Sequence, residues 1–525
     1  MFGYWMLVLH SHLPFVKHPE YDYYLEEHWL FEAINECYMP LLMALRRMEE
    51  EGINFKLTVS VTPPLCEMFA DQHLMEKYER YLEKVLKLAN KEVERTKDDM
   101  TFSHITQFYL NRFESIKNFF YNFLNKDILK GYKHFRDSGY IEVITCGATH
   151  GFLPLLEVNQ KAVRAQIEVA VNNYKKHFGD APKGIWLPEC AYYSGLEDIL
   201  SDYGIRYFFL DAHGIIYSVP RPRYGVFAPV YTKNGVAAFA RDISSAKQVW
   251  SAEEGYPGDF CYRDLYRDIG FDLDFEYVKD YISPDGIRVF TGFKYYRVTG
   301  RLDHKEPYDI EKAKNKASEH AGHFVYERHN QLKRLSELMY RKPVVVSPYD
   351  AELFGHWWFE GPEFLYYVFK YFHESVEVKP ITPSMYLAEY STNQVVTLNP
   401  SSWGDKGYYE VWLNGANDWI YKHLHYMADK MVEYAKYYKN SHNPFRSRIL
   451  NQMARELLLA QSSDWAFLMT TGTATNYSVR RTKEHIYNFL RLEDMLVKNY
   501  KDDDFLSKLE TKNSIFQEID FKVFS

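Results

Sequence analysis

Between Lys342 and Leu365 the chain reads KPVVVSPYDAELFGHWWFEGPEFL. A β-branched run, Val344 to Val346, reads as a buried strand, and two carboxylates, a histidine and two tryptophans crowd just past its end. Asp350 and Glu352 suit acid and base work there, and Trp357 with Trp358 suit a flat platform under a ligand. A second carboxylate, Glu189 in IWLPECAYYSG, follows the strand candidate Gly184 to Leu187. Ser194 and Glu197 have the spacing of a capping box, so Glu189 is expected near a helix N-terminus, ionised, as a nucleophile requires. Two carboxylates on different strand ends, among aromatics and histidines, are what glycoside cleavage needs: one protonates the leaving oxygen while the other attacks or activates water.

Histidines complete the set. His10 and His12 in LVLHSHLPF are two apart, so a strand points both to one face. They could ligate a metal or hydrogen-bond sugar hydroxyls. No carboxylate or third histidine stands at a fixed spacing, and no metal is expected. His150, in CGATHGFLP, sits among small residues that permit close approach of a ligand. His304, His320, His323 and His329 fall in a polar helical region and read as solvated.

These residues must be positioned by strands alternating with helices. Strand candidates are Trp5–Leu9, Lys56–Val61, Ile141–Thr145, Gly184–Leu187, Tyr207–Leu210, Val236–Phe239 and Pro343–Val346. Ala162–His177 has helical spacing of its apolar residues. This pattern implies a parallel sheet with right-handed crossovers, closed or nearly closed into a seven-strand barrel whose strand ends assemble the site. Residues 1–63 and 135–382 are assigned to the barrel, and 64–134 to a helical insertion holding Met75–Asp98 and Ile105–Leu124. The long connection Phe260–Tyr340 carries a strand-like piece, Arg288–Val298, and a polar helix from Asp309. Residues 383–525 form a helical C-terminal domain, with helices expected over Tyr408–Tyr438 and Ser447–Gln461 and a charged tail expected to fray. Asp211–Tyr231 follows the fifth strand and is expected to overhang the site, with Ser218–Gly225, stiffened by Pro220 and Pro222, as the gate that decides between acceptors.

Composition bounds the class. The chain has 525 residues, enough for two or three units, and its 17% aromatic content fits carbohydrate stacking as well as core. A net charge of −8 argues against nucleic acid or an anionic membrane as partner. Five scattered cysteines without C-x-x-C give neither a disulfide framework nor a thiolate zinc site. The N-terminus reads as a strand and not as a signal peptide, and no apolar stretch approaches membrane-spanning length, so a cytoplasmic enzyme is expected.

Five segments in chain order resemble the motif regions of glycoside hydrolase family 57: HSHLP at His10, CGATHGF at Cys146, WLPECAY at Trp186, PYDAELFGHWW at Pro348 and SDWAFLMTTGTATNYSVRRT at Ser463. The last three are most similar to its α-1,4-glucan branching enzymes and related intracellular α-amylases. The resemblance implies an incomplete (β/α)7 TIM-like barrel with a helical insertion and a C-terminal all-α domain. It also implies Glu189 as nucleophile and Asp350 as acid/base in a retaining double displacement, with no cofactor. Arg241, Gly258, Trp403 and Asp464 are implied to contact an α-glucan such as amylose or glycogen. His10, His12 and His150 would hold the sugar at the cleavage position, and Trp358 and Trp403 would stack on sugar faces. The acceptor, water or a 6-hydroxyl, separates hydrolysis from branching, and mixed behaviour is expected. In many branching enzymes of the family a Gln stands where this chain has Thr473. A purely hydrolytic α-amylase is the nearest alternative. A metal-dependent polysaccharide deacetylase is more remote, and a non-catalytic glucan-binding protein would need neither carboxylate.

Overall fold

All seven expected strands form, within a computed structural model that describes residues 1–251, 255–300 and 304–525. They are β1 (Gly3–Ser11), β2 (Leu57–Val61), β3 (Ile141–Ile144), β4 (Gly184–Ile185), β5 (Tyr207–Leu210), then, after a short β6 (Val230–Tyr231), β7 (Ala237–Ala240) and β8 (Val344–Asp350). One ladder runs β3-β2-β1-β8 and another β4-β5-β7, all parallel, and a Thr145–Ile185 bridge joins β3 to β4. Strand β6 is antiparallel to β7, and β9 (Val378–Pro380) lies on β1 beside β2. Between β7 and β8 the Asp242 N–H reaches Val346 O at 2.8 Å where a ladder would run. The result is the incomplete (β/α)7 barrel, open along that seam.

Alternation along the strands explains both its core and its mouth. Tyr4, Met6 and Val8 of β1 face inward with Ile144, Trp186, Phe209, Phe239, Val344 and Val346. Trp5, Leu7 and Leu9 face outward, and Trp5 packs against Phe324, Phe369 and Phe372 of the surrounding helices Ile310–Leu338 and Gly361–Glu374. Burial on both faces is why β1 reads as a continuous apolar run. Burying each such side chain contributes roughly 1.5–3 kcal/mol.

The connection from β2 to β3 holds helices Gln72–Thr96 and Ser103–Asn118, with Asp71 capping the first by accepting Leu74 N–H at 3.0 Å. Helix Ile310–Leu338 starts at Asp309, as expected. The strand-like Arg288–Val298 joins neither barrel ladder; its end makes antiparallel bridges, Arg297 with Arg263 and Tyr296 with Pro307, and its start is held by Asp268, which accepts the N–H groups of Gly270, Thr291 and Gly292. After β9 come helices Tyr421–Tyr437, Pro444–Ala460, Ser463–Thr471, Thr475–Lys498 and Asp503–Lys512. The first starts later than expected because Asn414 and Asn417 close turns on each other's backbone. The tail does not fray. Ile515, Phe521 and Phe524 are buried, and the Arg455 guanidinium donates to the carbonyls of Ile515 and Gln517.

The expected gate is misplaced. The Gln394 amide accepts from Arg223 N–H and donates to Arg221 O, both at 2.8 Å, and Phe227 O accepts from Val344 N–H at 2.9 Å. Val344 begins β8 and Asp350 ends it. At about 3.3 Å per residue, the segment around Arg221–Phe227 therefore lies about 20 Å along that strand from Asp350, at the opposite end of the barrel. It cannot overhang the site.

Candidate active site

The inward rows end in polar side chains at the C-terminal face. On β1 the row continues to His10, whose Cα partners are Ser60 on β2 and Asp350 on β8, so three polar residues stand side by side. Asp211 after β5 and Arg241 after β7 extend their rows likewise and form an ion pair at 2.6 Å.

Glu189 sits in the short turn Pro188–Cys190 after β4 with φ 61° and ψ 23°, a left-handed conformation that costs a non-glycine residue about 1 kcal/mol or more. His150 after β3 has φ 58°. Both are held by residues far along the chain. Glu189 O accepts from Trp403 N–H at 3.0 Å, and His150 O accepts from Ser463 N–H at 2.9 Å. The same two residues bind the side chains: Trp403 Nε1–H donates to Glu189 Oε2 at 2.9 Å, and Ser463 Oγ lies 2.9 Å from Glu189 Oε1 and 2.8 Å from His150 Nδ1. Burial pushes the Glu189 carboxyl up to about 7, against the pull of the Trp403 and Ser463 hydrogen bonds. The ionising helix N-terminus expected beside it is absent. The following helix, Leu196–Asp202, opens on Gly195, whose N–H is taken by Glu197, so Ser194 forms no capping box with that residue.

The histidines form a stack. His10 and His150 are each 2% exposed, with His10 Nδ1 on Ser60 Oγ at 3.2 Å and the two Nε2 atoms 2.9 Å apart. Burial first, then neighbouring histidines, hold both rings well below the usual imidazole range. Their nitrogens are engaged inside the protein, so the expectation that they grip a sugar directly is not what this arrangement offers. His12 is different. Its Nε2 lies 3.0 Å from Asp464, its Nδ1 3.1 Å from Thr62, and its ring stacks on His150 at 3.8 Å. Burial opposes charge on both partners, yet Asp464 raises His12, and His12 holds the Asp464 carboxyl down to about 2. Asp464 opens helix Ser463–Thr471, so this pair ties the C-terminal helices to the barrel mouth.

The Asp350 carboxylate has no hydrogen-bond partner among the described residues, and the residue opens to solvent at the mouth. Packed surroundings, then Glu352 and Glu189, raise its carboxyl well above the usual range. Glu352 accepts from His12 N–H at 3.1 Å and from Tyr38 Oη at 2.5 Å, which makes it a brace for β1 beside Asp350. Trp358, expected as a platform, is 1% exposed and packs on Tyr262 and Phe364; the open ring is Trp357, 58% exposed. Consecutive residues point to different sides of this loop, and only one can face solvent. Trp403 is half-buried and its ring meets Trp186 at 4.9 Å. Gly258 closes the turn Tyr256–Gly258, where Tyr256 binds His323 and faces Trp358. Thr473 is exposed and bonds Thr471 at 2.9 Å. His320 and His329 have Tyr262 and Glu377 as partners, and His304 is exposed. Among the described residues two groups have donor atoms within 4.8 Å of one another, His10–Cys146–His150 and His12–His150–Asp464. In both, the imidazole nitrogens are already bonded to one another, to Ser60, Thr62 and Ser463, or to Asp464.

Ser60, Asp211, Tyr38 and Ser463 escaped the sequence reading. Ser60 lies on the inward row of the expected second strand, and extending the fifth strand's row by two residues finds Asp211. No periodicity points to Ser463, which reaches Glu189 across 274 residues.

Paired carboxylates on separate strands of an incomplete barrel, backed by histidines and an indole donor, define a glycoside-cleaving class of site. The chain belongs to Glycosyl hydrolase family 57, matched by residues 6–399, and residues 423–524 match the 1,4-alpha-glucan branching enzyme C-terminal family. It is similar to a 1,4-alpha-glucan branching enzyme of Thermococcus kodakarensis, at 36% identity over 99% of this chain and 78% of the relative. Among solved structures, the alpha-amylase AmyC of Thermotoga maritima superposes with a TM-score of 0.95 at 49% identity, covering 100% of this chain and 99% of that one. The branching enzyme of Pyrococcus horikoshii superposes at 0.90 with 36% identity, covering 100% and 97%. No helix among the described residues is long and apolar enough to cross a membrane.

Proposed function

We propose that this enzyme cleaves α-1,4 linkages of a glucan by double displacement with retention and passes the chain to a 6-hydroxyl, making α-1,6 branches, or to water. Glu189 attacks the anomeric carbon while Asp350 protonates the departing oxygen; Asp350 then deprotonates the acceptor, whose oxygen attacks the same carbon and releases Glu189 as carboxylate. The observation that carries this reading is the unequal environment of the two carboxyls. Glu189 has two donors to stabilise its anion, and Asp350 has none among the described residues and two carboxylates beside it. That inequality favours the anion on Glu189 and the proton on Asp350. The His12–Asp464 and Arg241–Asp211 pairs line the mouth and Trp357 offers the stacking face, with His10 and His150 behind them. No cofactor takes part. The α-glucan is the partner, and five free cysteines, four of them buried, support a reducing compartment such as the cytoplasm.

We divide the chain as 1–63 and 135–382 for the barrel, 64–134 for the insertion, and 383–525 for a helical domain that contributes to the cleft. The match of residues 423–524 to a separate family supports a distinct helical domain in that part of the chain, while the barrel family's match extends to residue 399. A purely hydrolytic α-amylase is the second reading, favoured by the 49% identity to AmyC. Incubation with amylose, scoring new α-1,6 linkages against reducing ends, separates them. Both products are expected; reducing ends alone select the amylase reading. Neither product, or acetate release from an acetylated glycan that a chelator abolishes, refutes the proposal.

A further inference from the structure

Four hydrogen bonds run end to end from the barrel interior to Glu189. They link Ser60 Oγ to His10 Nδ1 (3.2 Å), His10 Nε2 to His150 Nε2 (2.9 Å), His150 Nδ1 to Ser463 Oγ (2.8 Å), and Ser463 Oγ to Glu189 Oε1 (2.9 Å). Ser60 is 0% exposed, and His10, His150 and Ser463 are 2% exposed each, so solvent has little access along the chain.

Donor and acceptor counting fixes its direction. A neutral imidazole has one N–H and one bare nitrogen, and an ionised carboxylate only accepts. Burial keeps both rings neutral. With Glu189 ionised, the Ser463 hydrogen must point to it, so Ser463 Oγ accepts from His150 Nδ1–H. His150 Nε2 is then bare and accepts from His10 Nε2–H, which leaves His10 Nδ1 bare, to accept from the Ser60 hydroxyl. The reverse direction turns the Ser463 hydrogen toward His150 and leaves Glu189 Oε1 without its donor. The orientation of a hydroxyl on β2 and the hydrogen bonding of Glu189 are thus one property of one chain.

We propose that Ser60 and Ser463 are positioning residues for Glu189, which together fix the tautomers of His10 and His150 and aim the Ser463 hydroxyl at the carboxylate. This rests on the reading of Glu189 as nucleophile. The other groups facing Glu189 are His12, Asp464 and Asp350, with Glu352 and Arg241 beside Asp350; those facing His10 include His12 and the neutral Cys146 thiol. Replacing Ser60 touches none of these charges. Because both serines belong to one chain, their effects must be non-additive, and because Ser463 comes from the C-terminal helices, the barrel by itself lacks the last link.

The test is a pH profile of kcat/KM on amylose for S60A, S463A and the double variant. S463A is expected to lower kcat/KM about tenfold at the acidic limb and move that limb upward, since a hydrogen bond to a charged group is lost. S60A moves the same limb in the same direction with KM unchanged, S60T restores it, and the double variant matches S463A. Additive shifts, or an S60A limb that does not move, overturn the proposal. Neutron diffraction of the unsubstituted protein above pH 8 gives an answer independent of any variant's folding. Hydrogen is expected on His10 Nε2 and His150 Nδ1, and the opposite pair of tautomers overturns the chain. Glu189→Gln distinguishes the two failures. If it retains turnover, the nucleophile reading is wrong; if it is inactive while the serine effects add, only the chain is wrong.

Discussion

Trp403→Phe isolates one hydrogen bond at the proposed nucleophile. The change keeps a ring against Trp186 and removes the Nε1–H that reaches Glu189 Oε2 at 2.9 Å. A hydrogen bond to a charged group contributes about 1.5–3 kcal/mol net, which corresponds to a 10- to 150-fold change in an equilibrium. The Glu189 carboxyl already stands at about 7 because of burial, and Trp403 is the first group that opposes that burial. Losing this donor raises it further, by one to two pH units on the same arithmetic. At pH 7, where the parent is partly ionised, most variant molecules then carry a protonated, non-nucleophilic Glu189. The assay is initial-rate release of reducing ends, or loss of iodine staining of amylose, from pH 5 to 9. The expected result is an acidic limb displaced upward by at least one pH unit, with a rate near the unsubstituted value recovered at high pH. A limb that stays in place, with a uniform loss at every pH, would mean that Trp403 acts by stacking on the sugar and that its bond to Glu189 is incidental.

Asp464→Asn should weaken docking of the C-terminal helices. The depression of its carboxyl from 3.8 to about 2 corresponds to roughly 2 kcal/mol, about 2 °C in Tm for a chain of this length. Its folded value is depressed, so this stability is present above pH 4 and lost as pH falls towards 2; calorimetry should show variant and parent converging there, and a constant gap refutes it. Trp357→Ala should raise KM for long glucans several-fold at little cost in Tm, whereas Trp358→Ala should destabilise by about 3–5 kcal/mol, because only the second ring is in the core. Kinetics beside thermal melts distinguish them, and the reverse assignment would return the platform to Trp358. A crystal structure with a bound oligosaccharide should place the Glu189 and Asp350 carboxyls about 5–5.5 Å apart; a gap near 9 Å would indicate inversion.

The barrel was legible because parallel strands covered on both faces must be apolar throughout, and each inward row can be followed to the mouth. His10 and Asp350 lie on such rows, which is why their chemistry could be read before their positions were known. Trp358 shows the limit. Adjacent indoles after a strand are indistinguishable by composition, and only the packing of Tyr262 and Phe364 decides which one is core. The Ser218–Gly225 gate failed for a related reason: a loop rich in proline fixes its own bends but not its destination, and here Gln394 and Val344 carry the chain to the far end of the barrel. Ser463 was invisible because its bond to Glu189 depends on how the C-terminal helices dock, and on left-handed backbone at Glu189 and His150 that no local propensity favours.

The central claim is that Glu189 forms the covalent bond to the sugar. Reaction with a 5-fluoro-α-glucosyl or maltosyl fluoride slows release of the glycosyl-enzyme, and peptide mapping by mass spectrometry then locates the adduct. The account predicts a single adduct on Glu189 and none in Glu189→Gln. An adduct on another carboxylate, or no adduct together with products of inverted anomeric configuration, would contradict it.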